Sequence, residues 1–357
     1  MSVNKLKNDK IRIVEYPPVL MLYNLDPAWL PAEIEESRQA AQVLIDALRQ
    51  QGHPVTEACL EDRDLAGLLR SYTPDDFIVF NWCEEIPGFP HSYDLIARTL
   101  EEYGFTFTGA DSKALAFSQD KRKVQQRLDS CGIATPLWQI FPSVKTLQAT
   151  SVPINWTTYP AIVKPALDHC SLGVTRESVV WSAPELASQV GHVIDSFHGP
   201  ALVEEFIDGR EFHVTVLGNG RLHVLPPAEM DFSAFEDPRD RLCTYESKFD
   251  PQSKAYNLIK LHLPALLTRD EQEQLTRVAL DGYRAADCRD YARLDIRLRN
   301  GVFYILDINP NADISPDTST SMAAELSGLP YGKFGSLLVN LTSRRHPIFG
   351  AEVDEMM

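Results

Sequence analysis

Positive charge is in short supply in this chain. It has 34 Lys and Arg against 50 Asp and Glu, a formal net charge of −16, and no basic tract. Proteins that hold DNA or RNA backbone show the opposite balance, which argues against nucleic acid as a partner while leaving room for a local basic pocket. Cysteine is also sparse. The six (Cys59, Cys83, Cys131, Cys170, Cys243, Cys288) are scattered without a CxxC pair, which disfavours a disulfide scaffold or a structural zinc site and suits a reducing compartment. Long apolar runs are missing: no window approaches the ~18 residues of a membrane span. The N-terminus, MSVNKLKNDK, is polar and has no apolar signal region. The expectation is a cytoplasmic protein with no membrane partner. Internal repeats and low-complexity tracts are lacking too.

What is present suits a multidomain α/β enzyme. The chain has 357 residues, 44% of them hydrophobic, which suggests two or three domains. Val19–Tyr23 reads as a buried strand, Ile34–Gln51 as a helix stopped at Gly52, Pro54–Leu60 as a strand and Phe77–Phe80 ("FIVF") as another. "HSYDLIARTLEEYG" follows as a helix stopped at Gly104. This alternation implies parallel βαβ units, whose ligands sit beyond the carboxyl ends of strands. Asn81, Glu84 and Glu85 fall at such an end.

From about Asp111 the pattern changes. A charged helix contains Lys121, and a strand ends at Lys164 in "YPAIVKPALDHCSLGV". Strand-like runs then flank the acidic turn of "VEEFIDGREF". Residues 226–263 read as irregular, in the manner of a lid or binding loop. The helix Arg269–Ala285 leads into a hairpin, "YARLDIRL" and "VFYILDIN", turning at Asn300-Gly301.

The hairpin carries chemistry. Arg293, Asp295 and Arg297 alternate on one strand and share a face; Asp307 and Asn309 share a face on the other. Two carboxylates and an amide are oxygen ligands of the kind Mg²⁺ uses together with phosphate oxygens. The plain alternative is a set of surface acids paired with arginines. Acids at the end of the apolar "YILDIN" weigh against it, since burying them without a cation is costly. Lys121 and Lys164 taken singly read as solvated lysines; beside a metal-binding hairpin they read as a phosphate clamp. Glu204 and Glu211 flank a turn that resembles an adenine-holding linker, where a carboxylate can take the amino group or the ribose hydroxyls. The alternative there is an acidic surface turn.

In their order along the chain, several segments resemble the ATP-grasp superfamily, in its D-alanine–D-alanine ligase-like branch. They are "FNWCEE", "FTGADSKALAFSQDKRKVQQRLDSCGIATP", "YPAIVKPALDHCSLGV", "ALVEEFIDGREFHV", "YESKF", "ARLDIRL" and "FYILDINPNADIS". The resemblance implies an α/β ATP-grasp fold: an N-terminal parallel-sheet lobe (1–109), a central lobe (110–204) and a C-terminal lobe with the Mg²⁺ site (205–357), the last two clamping ATP. It implies that Lys121 and Lys164 contact ATP phosphates beneath a flap at 168–173. It makes Glu204, Glu205, Phe206 and Ile207 the adenine hinge, with Glu211 on the ribose. Lys248 would lie in a loop closing on the γ-phosphate. Asp295, Asp307 and Asn309 would hold two Mg²⁺ ions, with Mn²⁺ as an alternative, and Arg293 would stabilise a negative tetrahedral centre. The implied reaction is phosphorylation of a carboxylate followed by attack of an amine.

The chain departs from that branch where substrate is recognised. The glycine-rich N-terminal motif with its substrate-holding glutamate has no counterpart. The flap serine falls at Cys170, with Ser171 beside it as the remaining candidate catalytic hydroxyl; the loop tyrosine falls at Phe249, and a glycine near the oxyanion at Asp313. The implied reading is the same activation chemistry on a different acid, with a small amino acid as acceptor. The branch that makes mycosporine-like amino acids is compatible with these losses. The competing expectations are a cell-wall D-alanine–D-alanine ligase, an L-amino-acid dipeptide ligase and a non-catalytic nucleotide-binding protein. Partners would be small acids and amino acids, with a homodimer left open.

Overall fold

The computed structural model describes residues 16–142, 156–168 and 171–350. His169 and Cys170, the middle of the expected flap, lie outside the described residues. The chain divides into two compact units, 1–112 with 328–357, and 113–327. The stretch after Ser327, expected with a C-terminal lobe, therefore belongs to the first unit.

The first unit is built on strands β1 (Val19–Asn24), β2 (Val55–Leu60), β3 (Ile78–Asn81) and β4 (Thr106–Phe107). They form a parallel sheet in the order β2-β1-β3-β4. Every residue of β1 is buried, as expected for a central strand covered on both faces. The helix Pro31–Gln51 buries Ala41, Leu44, Ile45 and Leu48, and it ends at Gly52 with φ 107°, a left-handed conformation that glycine adopts without strain. The helix Tyr331–Ser343 packs on it. A Cβ at Gly335 would lie 3.1 Å from Leu44 and 3.2 Å from Leu48, so glycine permits the close approach. His53 adds a buried polar tie, with Nδ1 3.0 Å from the Pro17 carbonyl and Nε2 2.8 Å from Ser336 Oγ.

The second unit holds two antiparallel sheets. Strands β5 (Trp138–Phe141), β6 (Ala161–Pro165), β7 (Val179–Val180) and β8 (Ala201–Glu205) form the first, in the order β5-β8-β6-β7. The helix Ala183–Phe197 covers it through Leu186, Val190 and Val193. The second sheet comprises β9 (Arg210–Leu217), β10 (His223–Val224), β11 (Ala228–Asp231), β12 (Lys260–His262), β13 (Tyr291–Arg299) and β14 (Val302–Pro310). Its order is β12-β11-β9-β13-β14, with β10 also on β9. Helices Lys121–Ser130 and Arg269–Ala285 share its core through Val124, Leu128, Leu275 and Ala279.

Residues 226–263 are more regular than expected. They hold β11, β12 and the short helices Tyr245–Phe249 and Lys254–Leu258. Pairing of β11 with the long β9 supplies backbone partners that the polar composition does not advertise. The hairpin β13–β14 turns where expected, with φ 52° at Asn300 and 77° at Gly301. Its register shifts after Asp295: Asp295 pairs Asp307, but Ile296 pairs Ile305, leaving Leu306 as the extra residue of a bulge.

Candidate active site

One face of the second sheet concentrates the charged groups. Cross-strand partners on β9 and β13 are Glu211 with Arg297, His213 with Asp295, and Thr215 with Arg293. On the other side of β13, Asp295 faces Asp307 and Arg293 faces Asn309. The three residues expected to share a face on β13 do so, because side chains alternate along a strand. The bulge lets both Leu306 and Asp307 line the same cavity, of about 130 Å³, together with Lys121, Lys164, Glu204 and Lys248.

Asp295 is gripped by Arg293 through Nε (2.7 Å) and Nη2 (3.0 Å), and it accepts a hydrogen bond from Asn309 Nδ2 at 3.1 Å. Burial alone would raise the Asp295 pKa, but Arg293, His213 and Lys248 together hold the carboxyl well below the usual range. Burial likewise works against the Arg293 charge, and Asp295 together with Asp307 more than restores it. Asp307 lies 3.4 Å from Lys121 Nζ, which also donates to the Asp168 carbonyl at 2.8 Å. Two carboxylates and an amide side chain thus meet, each carboxylate already matched to a cation and the Asn309 amide nitrogen turned to Asp295. That donor set, hard oxygen only, is chemically suited to Mg²⁺.

Lys164 is 9% exposed and Glu204 is 1% exposed. Lys164 Nζ sits 2.6 Å from Glu204 Oε2, while Gln125 Nε2 donates to Glu204 Oε1 at 2.7 Å. Desolvation pulls the Lys164 pKa down, and Glu204, Asp307 and Asp295 together carry it above the ordinary value. Glu204 was expected in the adenine hinge, with its carboxylate free for a nucleotide amino or hydroxyl group; that carboxylate instead pairs with Lys164. Of the other hinge residues, Glu205 N donates to the Leu137 carbonyl, Phe206 N to the Pro160 carbonyl, and the Ile207 carbonyl accepts from Arg297 Nη1 at 2.8 Å. The Glu205 carboxylate accepts from Arg299 Nη2 at 2.6 Å. Glu211 accepts from Arg297 Nε at 2.7 Å.

Ser171 and Lys248 meet. Lys248 Nζ donates to Ser171 Oγ at 2.9 Å, and Ser171 Oγ donates to the Cys243 carbonyl at 2.8 Å. The two loops flanking the cavity are tied by this contact.

Sequence reading had not singled out Gln125, His213 or Cys243 as site residues, and it gave Arg297 no partner. His213 lines the cavity and is largely buried, and that burial is the main reason its pKa falls to about 4. Cys243 is raised well above the thiol norm by burial and then by Glu211. One signal was available, the "EFHV" alternation that puts His213 on the same face as Glu211. Cys243 carried none.

Two sheets with lysines, carboxylates and a linker lining one cavity define an ATP-grasp protein. The chain belongs to the D-alanine–D-alanine ligase family: residues 128–341, more than half of it, match the family model for the D-ala D-ala ligase C-terminus. It is an ATP-dependent ligase, of a family that uses ATP with Mg²⁺. It is 28% identical to a D-alanine–D-alanine ligase of Marinomonas sp., over 84% of this chain and 89% of that one. It is 27% identical to the ligase of Aquifex aeolicus, over 86% and 96%, and 29% identical to an uncharacterized protein of Sinorhizobium fredii, over 86% and 88%. In fold it matches the Bacillus anthracis D-alanine–D-alanine ligase complexed with ATP, at TM-score 0.70 and 17% identity, covering 92% of this chain and 98% of that one. It matches the VanG D-Ala:D-Ser ligase of Enterococcus faecalis at TM-score 0.69 and 17% identity, over 91% and 99%. Among the described residues no helix is long and apolar enough to cross a membrane.

Proposed function

We propose that this protein activates the carboxylate of a small acid with ATP and joins it to the amine of a small amino acid, releasing ADP and phosphate. The observation that carries the reading is the convergence of Asp295 and Asp307 with the buried Lys164 and with Lys121 around one cavity, with Asn309 hydrogen-bonded to Asp295 behind it. ATP supplies the phosphoryl group, and two Mg²⁺ ions held by Asp295, Asp307 and Asn309 supply charge neutralisation. Lys121 and Lys164 hold phosphate oxygens. The hinge Glu204–Ile207 takes the adenine and Glu211 the ribose. Lys248, braced on Ser171, closes over the γ-phosphate. Arg293 faces the oxyanion that forms when the amine attacks, a fixed cation in place before charge develops.

The acid differs from D-alanine in this reading. Cys170, Phe249 and Asp313 stand where the branch has its serine, tyrosine and glycine. A specialised role such as mycosporine-like amino acid synthesis, in the cytoplasm, suits those losses. The second reading, cell-wall D-alanine–D-alanine ligation, draws on the similarity to the Marinomonas and Aquifex D-alanine–D-alanine ligases. The two are separated by phosphate release with D-alanine alone against L-amino acids, each with and without a second acid. Turnover that needs a non-amino-acid partner supports the first reading, and efficient turnover of D-alanine alone supports the second.

A further inference from the structure

Glu211, His213 and Cys243 each direct one ligand-capable atom to a common point, with the three atoms within 4.8 Å of one another. Glu211 and His213 are two apart on β9 and so share a face. Cys243 arrives from the segment before the helix Tyr245–Phe249. Carboxylate, imidazole and thiol form a different set from the oxygen-only cluster of Asp295, Asp307 and Asn309. Mg²⁺ does not favour sulfur, whereas a borderline-soft ion such as Zn²⁺ takes all three ligand types.

The surroundings are prepared for a cation. His213 Nδ1 lies 3.1 Å from Ser319 Oγ, the outer contact that commonly fixes the ring of a metal-binding histidine. Its Nε2 faces Glu211 Oε1 at 3.9 Å and Asp295 Oδ1 at 3.8 Å, too far for hydrogen bonds. Both carboxylates therefore lie near the ring nitrogen without hydrogen-bonding it, and Asp295 Oδ1 is already taken by Arg293 Nε. Arg297 occupies Glu211 Oε2, which leaves Oε1 on the His213 side. Ligand bonds of about 2.0–2.3 Å in a tetrahedron set the ligand atoms roughly 3.3–3.7 Å apart, so contraction by about an ångström completes three corners. A water would take the fourth.

We propose that Glu211, His213 and Cys243 form an inhibitory site for a thiophilic divalent ion such as Zn²⁺, and that an ion there excludes the nucleotide. Binding releases the Cys243 proton to solvent as the sulfur becomes a thiolate ligand. The exclusion rests on the reading of Glu211 as a ribose contact; the ion site itself does not.

Co²⁺ titrated into the full chain, without nucleotide or Mg²⁺, tests the site directly. The expected result is one equivalent bound, with thiolate-to-cobalt absorption in the near ultraviolet and tetrahedral bands in the visible. The near-ultraviolet band should vanish in Cys243→Ser, and affinity should fall at least tenfold in His213→Ala, with circular dichroism confirming the fold of both. Absence of the thiolate band in the unaltered protein, or its persistence in Cys243→Ser, overturns the site. A second arm measures ATP binding calorimetrically at buffered free Zn²⁺. A rise in the apparent Kd for ATP in step with site occupancy supports exclusion. Full Zn²⁺ occupancy with unchanged ATP affinity overturns exclusion and the ribose role of Glu211 together, while the ion site stands.

Discussion

Lys164 Nζ lies 2.6 Å from Glu204 Oε2, and the two side chains are diagonal neighbours on adjacent antiparallel strands, with Ile162 opposite Glu204 and Leu202 opposite Lys164. An ammonium enclosed in this way persists because a carboxylate is enclosed with it. Glu204→Gln removes the charge and keeps the shape. Breaking a buried pair by neutralising one member costs on the order of 3 kcal/mol. We expect a lowered denaturation midpoint together with weaker ATP binding, checked by urea unfolding and calorimetry. Because the folded Lys164 pKa is raised, its stabilising contribution is complete below the ordinary lysine value and is lost only as pH climbs through the higher folded value. An alkaline unfolding series should therefore separate the two proteins less at high pH than at neutral pH.

Asp307→Asn should abolish ADP formation at ordinary Mg²⁺ while leaving the far-ultraviolet circular dichroism intact. The substitution exchanges a charged oxygen donor for a neutral one where Asp295 and Asn309 already converge. Asn309→Ala should behave alike. Raising Mg²⁺ should recover part of the Asp307→Asn rate, because weakened ligation is offset by mass action. Full turnover by either variant would place the metal elsewhere.

Lys248→Ala and Ser171→Ala probe the tie between the two loops. Lys248→Ala loses both that contact and a cation over the cavity, and a fall in kcat/KM of about a hundredfold is expected, in line with losing one charge-stabilising group. Ser171→Ala loses only a hydroxyl contact, worth about 0.5–1.5 kcal/mol, so roughly a tenfold fall at most is expected. Steady-state kinetics over ATP concentration distinguishes them.

Acidification should weaken the first unit through His53. Burial lowers the pKa of this ring, held between the Pro17 carbonyl and Ser336 Oγ. The unfolded chain takes up the proton first as pH falls below about 6.5, so stability drops from there towards the lower folded value. His53→Gln should show a shallower fall in Tm between neutral pH and mild acid. An identical slope in both proteins would assign the acid sensitivity to other groups.

D-alanine alone should be a poor substrate, and Phe249→Tyr should not rescue it. A restored hydroxyl adds one neutral hydrogen bond, about a tenfold effect at best. A site built for hydrogen bonds discriminates by on the order of 10⁴. Coupled phosphate release with D-alanine, for both proteins, reports the outcome.

Local signals accounted for what could be read ahead of the structure. The buried β1, the helix ending at Gly52, the turn at Asn300-Gly301 and the face shared by Arg293, Asp295 and Arg297 all follow from short-range periodicity or turn chemistry. Register was not legible. That Glu204 would find Lys164 depends on how β6 meets β8, and that Leu306 and Asp307 would both line the cavity depends on a one-residue slip in β14. His213 and Cys243 come together across more sequence than any local window covers. The membership of residues after Ser327 in the first unit was hidden for the same reason.

That membership has a consequence for the order of events during synthesis. The helix Tyr331–Ser343 sets Gly335 against Leu44 and Leu48 and brings Ser336 to His53. All three of those partners leave the ribosome some 280 residues before it does. The whole second unit, 113–327, is translated in between. The nascent first unit must therefore carry an uncovered apolar stripe on the helix Pro31–Gln51 until its sealing helix arrives. In the cell that stripe is a surface for chaperones to hold, and a premature stop after Ser327 would leave it bare permanently.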